Sequence, residues 1–245
     1  MKMAVLKSLV RALRGPMKPR IMTAVDLFML MRTNDPNLSM SSFYERVKDL
    51  ADIGDIKRVM KGLYVNNTAI PRVSMNEVAE HIHEQSVVTL HSALMHAGIL
   101  NNPTQIVTCS IPVKPRGWRD GAKSKIKTDD GQLYWFFRMP ERFVNCDGLA
   151  TEDLYVQSVS YPLATAEKAF MDWMYLGASE QSGFRNEFSG LPPMDIEFGQ
   201  MNVHRLRRIA AKMELTEELN DWLAFKKEYD SSLNVKLNHN ASMGF

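Results

Sequence analysis

Within "GDIKRVMKGLYV", Gly54 to Val65, three cations stand close together: Lys57, Arg58 and Lys61. Lys57 and Arg58 lie within the first of two short runs of β character, Ile56–Val59 and Leu63–Val65, and Lys61 lies between the two. Gly62 supplies the left-handed residue that a three-residue loop, Met60-Lys61-Gly62, requires. Cations on such a loop neutralise phosphates and release counterions from a nucleic acid. Just upstream, Phe43, Val47 and Leu50 recur at helical spacing, so a helix over Met40–Ile53 turns Ser41, Tyr44, Glu45, Lys48 and Asp49 outward. Ser39 is one candidate cap for it; Ser42 with Glu45 three residues on is another. The hydroxyls of Ser39, Ser41, Ser42 and Tyr44 suit phosphates and base edges, and Lys48 suits a phosphate. Glu45 and Asp49 oppose that use, unless Glu45 serves the cap and Asp49 pairs with Arg46 or Lys48.

A second basic stretch lies between Lys114 and Lys127, where six cations face the single Asp120. Arg116, Trp118, Arg119 and Lys123 form a candidate second contact, because an aromatic among cations stacks on nucleic acid or anchors a protein partner. An exposed hairpin tip is the plain alternative. Other chemistry is sparse. Glu167 and Asp172 are the one carboxylate pair with a conceivable catalytic use, but Lys168 and Asp172 at i, i+4 read as a helix ion pair. His81 and His83 point to different faces of a helix, and Cys109 and Cys146 form no CxxC. The chain carries no P-loop, GxGxxG, GxSxG or HExxH. No catalytic residue, metal or cofactor is expected.

These residues need elements to position them. Helices are expected at Lys2–Leu13, where Leu6, Leu9, Val10 and Leu13 make one apolar stripe, at Thr23–Met31 and at Met40–Ile53. Pro16, Pro19 and "TNDPNLS" separate them, and Gly54 ends the third. Three helices and then a hairpin give a winged helix-turn-helix, assigned to residues 1–70. A larger mixed α/β domain follows at 71–230, with helices at Met75–Gln85 and Val87–Ala97. Its strands are expected in "TQIVTCSIPV", "SKIKT" and "QLYWFFRMP" around an Asp129-Asp130-Gly131 turn, and in "LYVQSVSY". Helices at Thr165–Leu176, Val203–Met213 and Glu217–Tyr229 complete it, and residues 231–245 are expected to be a mobile tail. The fold class is therefore α+β.

The charge is divided. Residues 1–66 hold twelve cations against six acids, +6, while the whole 245-residue chain is only +2, so the remainder is −4. A basic head on a mildly acidic body is the footprint of a polyanion binder. With 45% hydrophobic and 24% charged residues the chain can bury a core, and no run is apolar enough for a membrane span. Two distant cysteines fit a cytoplasmic location.

Three stretches together resemble a known family. "KGLYV" closes the presumed wing, "VVTLHSALMHAGIL" follows a short helix, and "SYPLATAEKAFMDWMYLG" lies well downstream. In wording and order they are similar to the AbiEi family of antitoxin-type transcriptional regulators. The matching positions are Gly62-Leu63-Tyr64, Ser92-Ala93-Leu94 with His96 and Gly98, and Ala164-Thr165 through Asp172 and Tyr175, within a similarity from about residue 20 to at least 215. The chain departs from the family in its longer N-terminal segment, in Ala166 where proline is frequent, and in the basic hairpin. The resemblance implies the antitoxin of a bacterial type IV toxin–antitoxin system, of the kind used in phage defence. Its winged helix would bind inverted-repeat operator DNA and repress its own operon. Its C-terminal domain would counter a nucleotidyltransferase-like toxin, often without stable contact. A stand-alone ligand-responsive winged-helix regulator is the first alternative, and an enzyme acting on nucleic acid the second.

Overall fold

The computed structural model describes residues 9–15, 19–100, 104–113, 123–178 and 196–243. The chain is mixed α+β and divides into two units, Met1–Glu84 with Ile126–Tyr134, and Gln85–Lys125 with Trp135–Phe245. The first unit thus extends past the expected boundary at residue 70 and takes in a segment from far downstream.

In the first unit, α1 (residues 9–14) precedes β1 (Ile21–Thr23), α2 (Ala24–Arg32), α3 (Met40–Asp52), β2 (Ile56–Met60), β3 (Leu63–Asn66) and α4 (Met75–Ile82). Local chemistry sets these boundaries. Thr23 and Asp26 form a capping box on α2, with the Thr23 hydroxyl accepting from the Asp26 amide and the Asp26 carboxylate from the Thr23 amide. Of the two candidate caps on α3, Ser39 is the one used, its Oγ accepting from the Ser42 amide. At the far end Gly54, at φ +80°, donates to Ala51 O while Asp55 donates to Leu50 O, the paired bonds of a Schellman stop.

The three strands form an antiparallel sheet in the order β1-β3-β2. Met60 pairs with Leu63, so the turn is the two residues Lys61-Gly62 rather than the expected three. The register shifts between Arg58 and Met60, which makes Val59 a bulge on the edge strand. Leu9, Leu13, Leu27, Met31, Phe43, Val47, Leu50, Ile56 and Tyr64 share one core, in which the Phe28 ring meets Phe43 edge-on at 5.3 Å. Leu9 and Leu13 of the first helix's expected stripe are thus buried with the stripe of the third, with Val10 partly buried against them and Leu6 outside the described residues.

Asn66 fastens α1 to this sheet. Its side-chain nitrogen donates to Leu13 O (2.9 Å) and Pro19 O (2.8 Å), and its oxygen accepts from the Thr68 amide. The residue is almost fully buried. Asn66→Ala would take their partner from the Pro19 carbonyl and the Thr68 amide, while Leu13 O keeps the Thr68 hydroxyl, and is expected to lower the unfolding free energy by about 2–3 kcal/mol. A shift in urea midpoint measures it.

The second unit builds a four-stranded sheet in the order β4-β5-β7-β6 from β4 (Val87–Val88), β5 (Ile106–Val113), β6 (Lys123–Lys127) and β7 (Leu133–Pro140). The end of the β6–β7 hairpin, Ile126–Tyr134, belongs to the first unit. Helices α5 (Leu90–His96), α6 (Glu141–Asn145), α7 (Thr151–Leu154), α8 (Ala166–Ala178), α9 (Val203–Lys212) and α10 (Thr216–Met243) complete it. α8 packs against both α5 and α9, and Phe170 meets Trp222 edge-on at 4.9 Å.

Three expectations change here. The helix expected from Val87 starts only at Leu90, because Val87 and Val88 pair with Ser110 and Cys109. "LYVQSVSY" is not a strand: its first residue ends α7, Tyr155 makes a single bridge to Ala164, and turns follow. The backbone of α10 continues through the segment expected as a tail, as far as Met243.

Candidate nucleic-acid interface

With Phe43, Val47 and Leu50 facing the core, α3 exposes Ser41, Tyr44 and Lys48, together with Glu45 and Asp49. Ser39 Oγ lies 3.1 Å from the Oγ of both Ser41 and Ser42, so the three hydroxyls cluster on the first turn. Tyr44 is exposed, its ring tilted against Phe43 at 5.1 Å. This first turn is the part of a groove-reading helix that meets base edges. Arg46 pairs at 2.6 Å with Asp35 and not with Asp49. The free end of the β2–β3 hairpin carries exposed Lys61, which, like Lys48, makes no ion pair among the described residues.

Lys57 and Arg58 are placed differently from the expectation of cations waiting for phosphate. Lys57 Nζ pairs with Asp130 Oδ2, and Arg58 Nε with Asp129 Oδ2 at 2.9 Å. Between them the Asp129 amide donates to the carbonyl of the bulged Val59 at 2.7 Å. The β6–β7 tip therefore lies along the edge of β2, covering it with one backbone bond and two ion pairs. Burial pulls the Asp130 carboxyl upward. Its hydrogen bonds from Lys57 and Thr128 outweigh that and hold it below the ordinary carboxylate range.

Other head-region cations are also matched: Arg14 with Asp55, and Arg20 with Glu77. Residues 67–84 bring one arginine against three glutamates, and 126–134 one lysine against two aspartates. The +6 of residues 1–66 thereby falls to +3 for the first unit. Arg116, Trp118 and Arg119 of the second candidate contact lie outside the described residues, and only the backbone of Lys123, in β6, is described. Beyond them in the same hairpin, Lys125 Nζ sits 4.8 Å from the Trp135 ring centroid.

In the second unit the polar residues of α8 are buried. Lys168 Nζ pairs with Asp172 Oδ1, their side chains 2% and 1% exposed, and Thr89 Oγ1 donates to Asp172 Oδ2 at 2.6 Å. Glu167 accepts from the Asn202 amide (2.7 Å) and from Arg205 Nη1 (3.2 Å), while Asp153 binds Arg205 and Arg208. Each oxygen of Glu167 and Asp172 thus has a partner: Lys168 on α8 itself for Asp172 Oδ1, and for the others Thr89, Asn202 and Arg205, which tie α8 to the start of α5 and to α9. Charge patterning pointed to Lys168–Asp172; the pairing of Asp153 with Arg205 and Arg208 carried no signal, because Asp153 lies more than 50 residues before both.

Burial pushes the Cys146 thiol up to about 11 and raises Cys109 further, so neither is poised as a nucleophile. Burial lowers His91 below the usual imidazole value. An open cavity of about 510 Å³ lies in this unit, lined by Val87, Val144, Val156, Val159, Gln157 and Glu141 among others. Among the described residues no group of three or more His, Cys, Asp or Glu is placed to hold a metal, and no helix is long and apolar enough to cross a membrane.

No protein-family model matches the chain, and no curated protein matches it significantly.

Proposed function

We propose that this chain is an operator-binding antitoxin and autorepressor of the AbiEi type, with the first unit as its winged helix. The element order α1-β1-α2-α3-β2-β3 with strands ordered β1-β3-β2, placing α3 directly before a hairpin with a basic two-residue turn, carries the reading. The exposed hydroxyls of the first turn of α3 read base edges, and Lys48 and Lys61 bind phosphates. Two copies on an inverted repeat would place two such helices in successive major grooves. The toxin-countering half of the reading rests on the resemblance of the three motifs. The saturated hydrogen bonding of Glu167 and Asp172 supports a packing role for the third of them.

One observation favours a second reading, a stand-alone regulator responsive to a small molecule. The cavity of about 510 Å³ is in the range of small-ligand sites, with valine walls and a few polar groups.

DNA from upstream of the protein's own reading frame tests the first claim by fluorescence anisotropy. Binding is expected, with log K falling linearly against log salt; no binding at 50 mM salt sinks the DNA-binding reading. Co-expression with the neighbouring reading frame separates the two regulators. Rescue of growth from a toxic neighbour is expected, and failure to rescue removes the antitoxin.

A further inference from the structure

We propose that the β6–β7 tip is an autoinhibitory clamp: Asp129 and Asp130 occupy Lys57 and Arg58 in place of DNA phosphates. The inference rests on the DNA-binding reading above and concerns its regulation. Covering an edge strand requires only backbone pairing and bulk, and the Asp129 amide on Val59 O already provides the former. The two carboxylates do more. Neighbouring residues in extended chain point to opposite faces. Lys57 and Arg58 thus flank the edge of β2, and the successive aspartates of the tip meet one each.

The tip is also built to present them. Thr128 Oγ1 donates to Asp130 Oδ1, leaving Oδ2 for Lys57, and the Thr128 and Gln132 backbones close the turn through Thr128 N to Gln132 O at 2.9 Å. Just past the tip, buried Tyr134 donates its hydroxyl to Met75 O at 3.0 Å, anchoring the segment within the same unit. Two anionic groups held over two cations imitate adjacent phosphates. While the tip is docked, DNA meets a rim on which Lys61 is the remaining unpaired cation of β2 and its turn, among the described residues. Displacing the tip restores two phosphate contacts, so tip docking and full DNA engagement exclude one another. The strands that carry the tip, β6 and β7, run on into the sheet of the second unit, so whatever that unit binds has a covalent route to the wing.

The test compares the full-length protein with Asp129→Asn/Asp130→Asn on a duplex of unrelated sequence between 50 and 200 mM salt. The variant is expected to bind about 100-fold more tightly near 0.1 M salt, with a log–log slope steeper by about 2. Asp129→Asn alone, at a half-exposed side chain, should give about a tenfold gain and guards against loss of fold. In the wild type, Lys57→Gln/Arg58→Gln should change affinity less than about twofold, because those cations are masked; added to the aspartate variant, it should cancel the gain. Wild type and variants that bind with the same affinity and slope overturn the clamp while leaving the DNA-binding reading standing. If neither protein binds DNA at 50 mM salt, that reading fails and the clamp with it.

Discussion

Asp172→Ala is expected to destabilise the second unit by about 3–5 kcal/mol, the cost of leaving a buried ammonium without its counter-ion. Lys168 is 2% exposed, and its only ion-pair partner among the described residues is Asp172. The same substitution takes the acceptor from the Thr89 hydroxyl, itself fully buried at the start of α5. Helix α8 would lose its polar tie to α5 while retaining that to α9 through Glu167. The paired replacement Lys168→Met/Asp172→Leu removes both charges at similar volume, and should recover most of the loss or exceed wild-type stability. Because the chain has two units, unfolding need not be two-state. The readout is therefore the urea midpoint of the phase followed by tryptophan fluorescence, the four tryptophans of the chain all belonging to the second unit. A loss below about 1 kcal/mol would mean that the pair is screened by solvent like a surface ion pair. A folded Asp172→Ala protein that has nonetheless lost its biological activity would favour a catalytic use of α8.

What was legible in the chain was local. Phe43, Val47 and Leu50 declare α3 because a 3.6-residue period is written in adjacent turns, and Gly54 and Gly62 declare its stop and the following turn because few other residues tolerate φ near +80°. Asp129-Asp130-Gly131 was likewise recognisable as a turn. Its contact with Lys57 and Arg58 was not, because the partners are about 70 residues apart and opposite charges match almost anywhere in a chain this rich in both. The inventory of cations overstated the candidate interface for the same reason: Arg14, Arg20 and Arg46 each find a carboxylate outside their own helix or strand. "LYVQSVSY" alternates like a strand, yet Tyr155 bridges only Ala164 and its hydroxyl donates to Val144 O. Nor does exposure alternate there: it runs from buried Leu154 through half-buried Tyr155 and Val156 to exposed Gln157 and Ser158. Val87 and Val88 show the converse. Two β-branched residues are too short a run to read against the helix that follows, and their partners in β5 decide the outcome.

Those pairings narrow the proposed DNA-binding surface to a few side chains, which makes the second large effect specific. Lys48→Gln/Lys61→Gln is expected to weaken DNA binding about 100-fold near 0.1 M salt and to flatten the log–log salt slope by about 2, one phosphate contact per lysine. Both lysines are exposed and neither makes an ion pair among the described residues, so stability should move by less than about 0.5 kcal/mol. The loss should be uniform across sequences, since phosphate contacts position the protein without reading bases. Ser41→Ala and Tyr44→Phe, by contrast, should erode the preference for the operator over unrelated DNA more than they erode affinity. The acids on the same helix supply the internal control. Glu45→Gln/Asp49→Asn relieves repulsion along the exposed face of α3, and should strengthen binding to both kinds of DNA. An interface elsewhere on the molecule would leave the lysine and the acid variants at wild-type affinity. A partner protein docking on this face would respond to the lysines without the linear dependence on log salt that counterion release imposes. Affinity, slope and sequence preference together therefore decide whether α3 and the Lys61 turn face DNA.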